Sequence, residues 1–486
     1  MPAQFGMIGL GTMGLNLVLN MADKGIAVCG YDRNPEQQKK LVEEGAGKPV
    51  LAVATMQEFV NALEKPRRIM MLVPAGKIVD AVIAEVTPLL QAGDILIDGG
   101  NSHFTDTDAR VERLRSTGIH FTGMGISGGE DGARKGPSMM PGGDPGGYAE
   151  LQNILVKIAA QTSDGPCVAF IGNGSAGHYT KMVHNGIEYA LMQLISEVYG
   201  ILKTCGGLTN GELHQVFTDW NKTELQSFLI EITAAIFAKK DEENGLPLVD
   251  LILDKARQKG TGKWTSQNAM DLNVPVPTID VAVSMRYLSA MKEERVNAAA
   301  QYTRQENAPG SSGVAMEKEQ IISLCKNALH FGFLLSYAQG LQLLQVASAN
   351  YNYGINIAEV IRIWKGGCII RSVLLNDLRK AYQQDEALSN IILSPIFQPV
   401  LKALRGDTTS IITTASGAAI PVAALAASLQ YFDAYGAAQL PANLIQAQRD
   451  YFGAHTYERI DKPGDFHAEW IDKPLVVTSE QKPKKE

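Results

Sequence analysis

Lys181, His184, Asn185, Glu188 and Tyr189 stand at positions i, i+3, i+4, i+7 and i+8. That is the spacing of one helical face, an arc of about 140° at roughly 100° per residue. Such a face would aim a base, an imidazole, an amide, an acid and a phenol in one direction. Met182, Val183, Gly186, Ile187 and Ala190 fall on the opposite side. Ser175 can cap the start of this helix, and a glycine-rich turn, Gly172-Asn-Gly-Ser-Ala-Gly177, leads into it. Two readings stand at this point. Most polar stripes are solvated surfaces, but those are built from Lys/Glu repeats, whereas this one mixes groups able to move protons and bind hydroxyls.

Something must position such a face, and the N-terminal third supplies a candidate. Residues 4–10 form a short apolar run followed by Gly9-Leu-Gly11-Thr-Met-Gly14, a full G-x-G-x-x-G, and then an apolar helical pattern. A second apolar run, Ile26–Tyr31, ends at Asp32, 23 residues after Gly9. Strand, glycine turn, helix, strand and acid form the context in which this motif binds a dinucleotide. The glycines allow a tight turn and a close approach to the pyrophosphate, which rests on the helix N-terminus. On this reading Gly9, Leu10, Gly11, Thr12, Met13 and Gly14 cradle the phosphates, and Asp32, Arg33 and Asn34 meet the adenosine ribose. Further strands are predicted at Arg68–Val73, Asp94–Asp98 and Ile119–Met124, with a helix over Lys77–Leu90 between the first two. The expected fold is therefore an α/β, Rossmann-like, doubly wound domain over 1–174. Ligands in such sheets lie beyond the carboxyl ends of the strands. Two segments there are rich in glycine and small polar groups: Asp98–Ser102, with Asn101, and Ile126–Gly143, with Ser127, Gly128 and Gly129. Both are expected to be loops whose backbone amides can hold a carboxylate or hydroxyls.

From Ser175 the periodicity becomes helical. Amphipathic stretches recur at Glu188–Lys203, Asn210–Asp219, Leu225–Ala238, Thr278–Lys292 and Lys318–Ser348. A large all-α domain over 175–435 is predicted. The segment 436–486 changes to aromatic, basic, glycine- and proline-containing sequence, with a polar end over 479–486 expected to be disordered. Lys259-Gly-Thr-Gly-Lys263 lacks the G-x-x-x-x-G-K-[ST] spacing, so ATP binding is not expected.

Bulk properties narrow the classes. The 486 residues carry a net charge of −7, and the pI is about 5.7, which gives no general attraction to nucleic acid or anionic membrane. The five cysteines are scattered without a C-x-x-C pair, against a zinc site or a disulfide framework and in keeping with a reducing cytoplasm. No signal peptide is read at the N-terminus, and no uninterrupted apolar run of membrane length is found.

These motifs converge on a family. Over nearly its whole length the chain resembles the decarboxylating 6-phosphogluconate dehydrogenases. The resemblance is carried by Gly9–Gly14, Ile97–Ser102, Gly125–Glu130, Gly136–Gly143, Lys181–Tyr189, Lys259–Thr265, Gly366–Ser372 and Arg449–His455. It implies oxidative decarboxylation of 6-phosphogluconate to ribulose 5-phosphate, a step of the oxidative pentose phosphate pathway, with NADP as hydride acceptor and no metal. Lys181 is then the general base at the C3 hydroxyl and Glu188 the acid that protonates C1. The two stand about 10 Å apart along a helix, within reach of one bound sugar acid. Asn101, Ser127, Gly128, Gly129, His184 and Asn185 are expected to hold the carboxylate and hydroxyls. Tyr189, Lys259 and Arg286 are expected to hold the phosphate, joined by Arg449 and His455 of a second subunit. Family members are homodimers whose tails thread into the partner. Val73, Pro74, Ala75 and Asn101 complete the cofactor set.

Two departures from the commonest family pattern stand out. Asp32-Arg33-Asn34 replaces Asn-Arg-Thr or Asn-Arg-Ser. An acid there favours the ribose hydroxyls of NAD and repels the 2′-phosphate of NADP, while the adjacent arginine favours that phosphate. Pro74 stands where many members have lysine. Two rival readings are another β-hydroxyacid dehydrogenase and a non-catalytic dinucleotide-binding sensor.

Overall fold

The computed structural model describes residues 2–302 and 316–470. The predicted disordered end at 479–486 lies outside the described residues. Two compact units are present, Met1–Leu429 and Gln430–Glu486.

The first unit begins with a seven-stranded sheet: β1 (Phe5–Ile8), β2 (Val28–Tyr31), β3 (Val50–Ala52), β4 (Arg68–Met71), β5 (Ile95–Asp98), β6 (His120–Ser127) and β7 (Ser138–Gly143). The spatial order is β3-β2-β1-β4-β5-β6-β7. β1 to β6 are parallel and β7 runs antiparallel to β6. Helices α1 (Thr12–Asp23), α2 (Pro35–Glu44), α3 (Met56–Asn61), α4 (Lys77–Val86), α5 (Phe104–Arg115), α6 (Gly129–Lys135) and α7 (Pro145–Ile158) connect or follow the strands. Covered on both faces, the central strands read as continuous apolar runs: all four residues of β1, β2 and β5 are buried. Two apolar cores form, one containing Phe5, Leu17 and Leu155 and the other Ile8, Phe59 and Val82. The strand order reverses between β1 and β4, and a crevice opens there beyond the carboxyl ends.

The α/β doubly wound expectation holds, with one local correction. The stretch Ile126–Gly143, expected to be a loop, contains the end of β6, the helix α6 and the strand β7. β7 pairs with β6 from Ser127↔Ser138 to Thr122↔Gly143, and all six of its residues are buried. Its glycines mimic a loop signal because a helix crosses it closely: a Cβ on Gly142 would lie 2.3 Å from the Gly177 amide nitrogen. Packing excludes a side chain at Gly142, and at Gly143 a φ of +136° against the Phe121 carbonyl does.

That helix is α8 (Ala176–Thr204), 29 residues long. The Lys318–Asn350 helix packs along it, with Gly340 beneath Ile187 and Gly332 beneath Leu194. The Thr261–Asp271 and Pro277–Ala290 helices complete its surroundings. Among the described residues, the Lys318–Asn350 helix is long and apolar enough on average to cross a membrane, but polar residues interrupt it and 78% of its apolar window is buried inside the fold. Other predicted helices recur with shifted ends. Phe228–Ala238 starts three residues later than expected because Ser227 caps it through the Ile230 amide.

The second unit contains the Ala442–Gly453 helix and a two-stranded antiparallel ribbon, Tyr457–Glu458 with Asp465–Phe466. Asp450 organises it. Its buried carboxylate accepts from the Thr456 and Ala468 amides, from His467 Nδ1 and from Trp470 Nε1.

Candidate active site

The polar face of α8 is not a solvated surface. Lys181 is 7% exposed, His184 is fully buried and Tyr189 is buried, while Asn185 and Glu188 are partly buried. The face lies against the carboxyl end of β6 because Gly125 and Gly177 let strand and helix touch: a Cβ on Gly125 would stand 2.4 Å from the Lys181 Cβ. Ser175 occupies the N-cap position but does not cap. Its hydroxyl donates to Asp108 and contacts the Tyr353 hydroxyl, so the predicted cap is replaced by a tie between α5 and α8.

A continuous polar chain runs along the face. Ser127 Oγ lies 3.2 Å from His184 Nε2, and His184 Nδ1 lies 3.0 Å from Asn185 Oδ1 and 3.4 Å from Lys181 Nζ. Asn185 Nδ2 donates to Thr261 Oγ1 at 3.0 Å. Glu188 Oε2 lies 3.8 Å from His184 Nδ1. One histidine tautomer satisfies both ring nitrogens, with Nδ1–H donating to Asn185 and Nε2 accepting from Ser127. Burial shapes the protonation of all three titratable groups. It lowers the Lys181 pKa against the pull of Glu188. It raises that of Glu188 against the pull of Lys181 and Arg286. It lowers that of His184 well below the usual value, reinforced by the Lys181 charge. A lysine moved towards neutrality and a carboxyl moved towards protonation are poised as base and acid.

Tyr189 collects the next group. The Arg286 guanidinium stacks 3.5 Å from its ring centroid. Gly262, three residues after Lys259, abuts the same ring, where a Cβ would clash at 2.4 Å. Lys259 is exposed on the turn entering the Thr261–Asp271 helix. Gly128 and Gly129 have φ of +123° and +62° at the start of α6, and a Cβ on Gly128 would strike the Gly367 carbonyl at 2.6 Å. Asn101 is exposed in the loop after β5. Arg449 and His455 lie in the second unit, both exposed. Arg449 donates to Gln446, and His455 packs edge-on against Phe452.

The crevice between β1 and β4 is a cavity of about 270 Å³ lined by Gly9, Gly11, Asp32, Arg33, Val73 and Pro74 among others. Gly9 has φ +94°, and a Cβ on Gly14 would lie 1.9 Å from the Gly9 carbonyl oxygen, so both glycines are required by the turn. No atom stands within 4 Å of a Cβ on Gly11, which leaves the α1 N-terminus open to a phosphate. Leu10 is buried, while Thr12 and Ala75 are exposed and Met13 is partly buried. Asp32 is half-buried and accepts from the Leu10 amide at 2.7 Å and the Asn34 amide at 2.9 Å. The Asn34 side chain caps α2 through the Glu36 amide. The cleft fits a dinucleotide.

Sequence reasoning missed the support behind these loops. Arg110 donates to Asp80, to Asp98, to Ser102 and to the Gly76 carbonyl, and so clamps the Val73–Gly76 loop to the Asp98–Ser102 loop. Its partners lie up to 34 positions away, and no local pattern marks it. Thr261 lay inside the quoted Lys259–Lys263 motif, which could have flagged it. Among the described residues, no group of three or more His, Cys, Asp or Glu is placed to hold a metal ion.

A mostly parallel sheet with a glycine-turn crevice, and a buried lysine and partly buried glutamate on a helix packed against its β6–β7 edge, together define a dinucleotide-linked dehydrogenase of two-part architecture. Comparison with known proteins is more specific. Residues 4–172 match the profile of the NAD binding domain of 6-phosphogluconate dehydrogenase, and residues 177–470 match that of the 6-phosphogluconate dehydrogenase C-terminal domain. The chain is 49% identical over 468 residues to the NADP(+)-dependent, decarboxylating 6-phosphogluconate dehydrogenase of Bacillus subtilis, covering 96% of this chain and 99% of that protein. It is 47% identical over 470 residues to the decarboxylating enzyme of Escherichia coli, with the same coverage. The solved Plasmodium falciparum 6-phosphogluconate dehydrogenase, studied with NADP+ and with 6-phosphogluconate, superposes with a TM-score of 0.93 at 41% identity over 96% of this chain and 100% of that one. The chain belongs to the 6-phosphogluconate dehydrogenase family.

Proposed function

We propose that Lys181 and Glu188 carry the proton transfers of an oxidative decarboxylation in which 6-phosphogluconate becomes ribulose 5-phosphate and CO2. The chain is an NADP-linked oxidoreductase of that family, and NADP supplies the hydride acceptor when bound in the β1–β4 crevice. Neutral Lys181 takes the C3 hydroxyl proton as hydride leaves C3. The resulting β-keto acid loses CO2 because its carbonyl receives the electron pair as an enediolate, and protonated Lys181 stabilises that oxygen. Glu188 then delivers a proton to the enediol carbon that becomes C1 of ribulose 5-phosphate. The observation that carries this reading is a buried lysine and a partly buried glutamate two turns apart on one helix face, with opposite pKa displacements.

Asn101, Ser127, Gly128, Gly129, His184 and Asn185 would hold the sugar acid's carboxylate and hydroxyls. Tyr189, Lys259 and Arg286 would hold its phosphate, with Arg449 and His455 contributed by the partner of a homodimer. This basic set favours a phosphorylated substrate over the smaller acids of other β-hydroxyacid dehydrogenases, and retention of both Lys181 and Glu188 speaks against a non-catalytic sensor. The working division is 1–174 for the cofactor, 175–435 for substrate and dimerisation, and 436–486 for exchange with the partner. Cytoplasmic location accords with five free cysteines.

The test is initial rates of 6-phosphogluconate oxidation with NADP and NAD side by side, for the wild type and Lys181→Met. Reduction abolished by the substitution is expected. A folded protein that reduces neither cofactor would sink the proposal, and equal rates for wild type and variant would remove Lys181 from the chemistry.

A further inference from the structure

The crevice that takes the dinucleotide is lined not only by Asp32 and Arg33 but also by Glu85, which projects from α4. Arg33 Nη2 and Glu85 Oε2 form an ion pair at 2.6 Å. Asp32 is occupied differently, with its carboxylate oxygens accepting the Leu10 and Asn34 amides. The mouth of the crevice thus holds two carboxylates and one guanidinium, and the guanidinium is already paired.

We infer that Glu85 is a specificity-determining residue for the cofactor, because a 2′-phosphate on the adenosine ribose must displace it from Arg33 whereas a free 2′-hydroxyl need not. The inference rests on the reading that this crevice binds NADP or NAD. The chemistry is a competition of anions for one cation. Glu85 holds the guanidinium through one oxygen on Nη2, and a phosphate seeks the same fork of donors. A phosphate that wins leaves the Glu85 carboxylate bare and close by, which repels it further. NAD brings no charge to this point and can form its ribose hydrogen bonds with the pair intact. The acidic signal of Asp32 is therefore reinforced from a helix 52 positions away in sequence.

The pair is solvent-accessible, with side-chain exposures of 68% and 35%, so the effect is moderate and falls with salt. Calorimetric titration of the full-length protein with NADP and with NAD at low ionic strength tests it without turnover. Glu85→Gln is expected to tighten NADP by about two- to five-fold and to leave NAD unchanged. Glu85→Lys should tighten NADP further, by about ten-fold. In an Arg33→Met background, the Glu85→Gln gain for NADP should shrink. An unchanged or weaker NADP affinity in Glu85→Gln overturns the inference, since Glu85 then only positions Arg33. So does equal tightening of NAD, or a gain that persists in full without Arg33. Wild-type protein that binds neither dinucleotide would instead defeat the cofactor reading itself.

Discussion

Lys181 is held in a place where a charged ammonium is expensive, and that sets two expectations. Burial lowers its pKa in the fold, so between the folded value and the ordinary value near 10.4 the unfolded chain binds more protons. The charged lysine therefore destabilises the fold most below its folded pKa, and the penalty vanishes as pH rises past the ordinary lysine value. Lys181→Met should raise the urea midpoint at pH 7 while lowering kcat by about 10²–10⁴-fold, with the stability gain fading in alkaline buffer. A midpoint that falls at pH 7 would contradict this account. The same displacements shape activity. With Lys181 lowered and Glu188 raised, kcat should be limited at acid pH by protonated Lys181 and at alkaline pH by ionised Glu188. Glu188→Gln should remove the alkaline limb from whatever rate survives. His184, lowered well below its usual value by burial, stays neutral in the fold, so acidification below about pH 6.5 favours the unfolded chain.

At the scale of elements, the contact between α8 and the β6–β7 edge positions everything. A Cβ on Gly177 would stand 2.2 Å from the Met140 carbonyl oxygen and 2.3 Å from that of Gly123, both backbone atoms that cannot swing aside. Gly177→Ala should cost about 1–3 kcal/mol or more, read as a lower urea midpoint at constant slope. Arg110 holds the loops on the cofactor side. Its side chain is 2% exposed and that of Asp98 is 1% exposed, so Arg110→Met leaves a buried carboxylate unpaired and should cost about 3–5 kcal/mol. Weakened dinucleotide affinity is expected to accompany the loss, since Gly76 and Ser102 both lose their tie. These elements were unequally legible in the sequence. The polar face of α8 was open to reading because five polar residues kept a helical period, although whether water covered it depended on neighbours far along the chain, such as Ser127 57 and Thr261 76 positions away. β1, β2, β4 and β5 declared themselves as apolar runs. β7 did not, because its Pro141, Gly142 and Gly143 imitate a turn, whereas Gly142 is required by the passing helix and Gly143 by a positive φ beside β6. Arg110 and Glu85 carried no local signal, since their partners are set by the parallel crossover topology.

At the scale of the whole chain, the family match spans nearly everything. The C-terminal unit is built around one buried carboxylate. Burial pushes the Asp450 pKa up, but His467, the Ala468 and Thr456 amides and Trp470 outweigh it and hold it at about 2. Asp450→Asn should strip amide-exchange protection from the 454–468 ribbon and leave α8 as slow as before. Equal loss at both places would mean that Asp450 supports the chain globally. Aromatic and basic density marked this tail as a docking segment, but the hub itself was hidden, because its donors arrive only after a ribbon has folded back.

The rod-like continuity of α8 has a kinetic meaning. Base, imidazole, amide, acid and phenol ride one rigid helix, so their mutual spacing is as constant as a helical pitch. Any opening or closing of the β1–β4 crevice would move a cofactor held there and leave the spacing between Lys181 and Glu188 on α8 unchanged. On the proposed mechanism, hydride transfer is thereby the step sensitive to that motion, while the two proton transfers depend on the fixed spacing within α8. A perturbation of the crevice should consequently enlarge the deuterium isotope effect at C3 and leave the solvent isotope effect at C1 untouched.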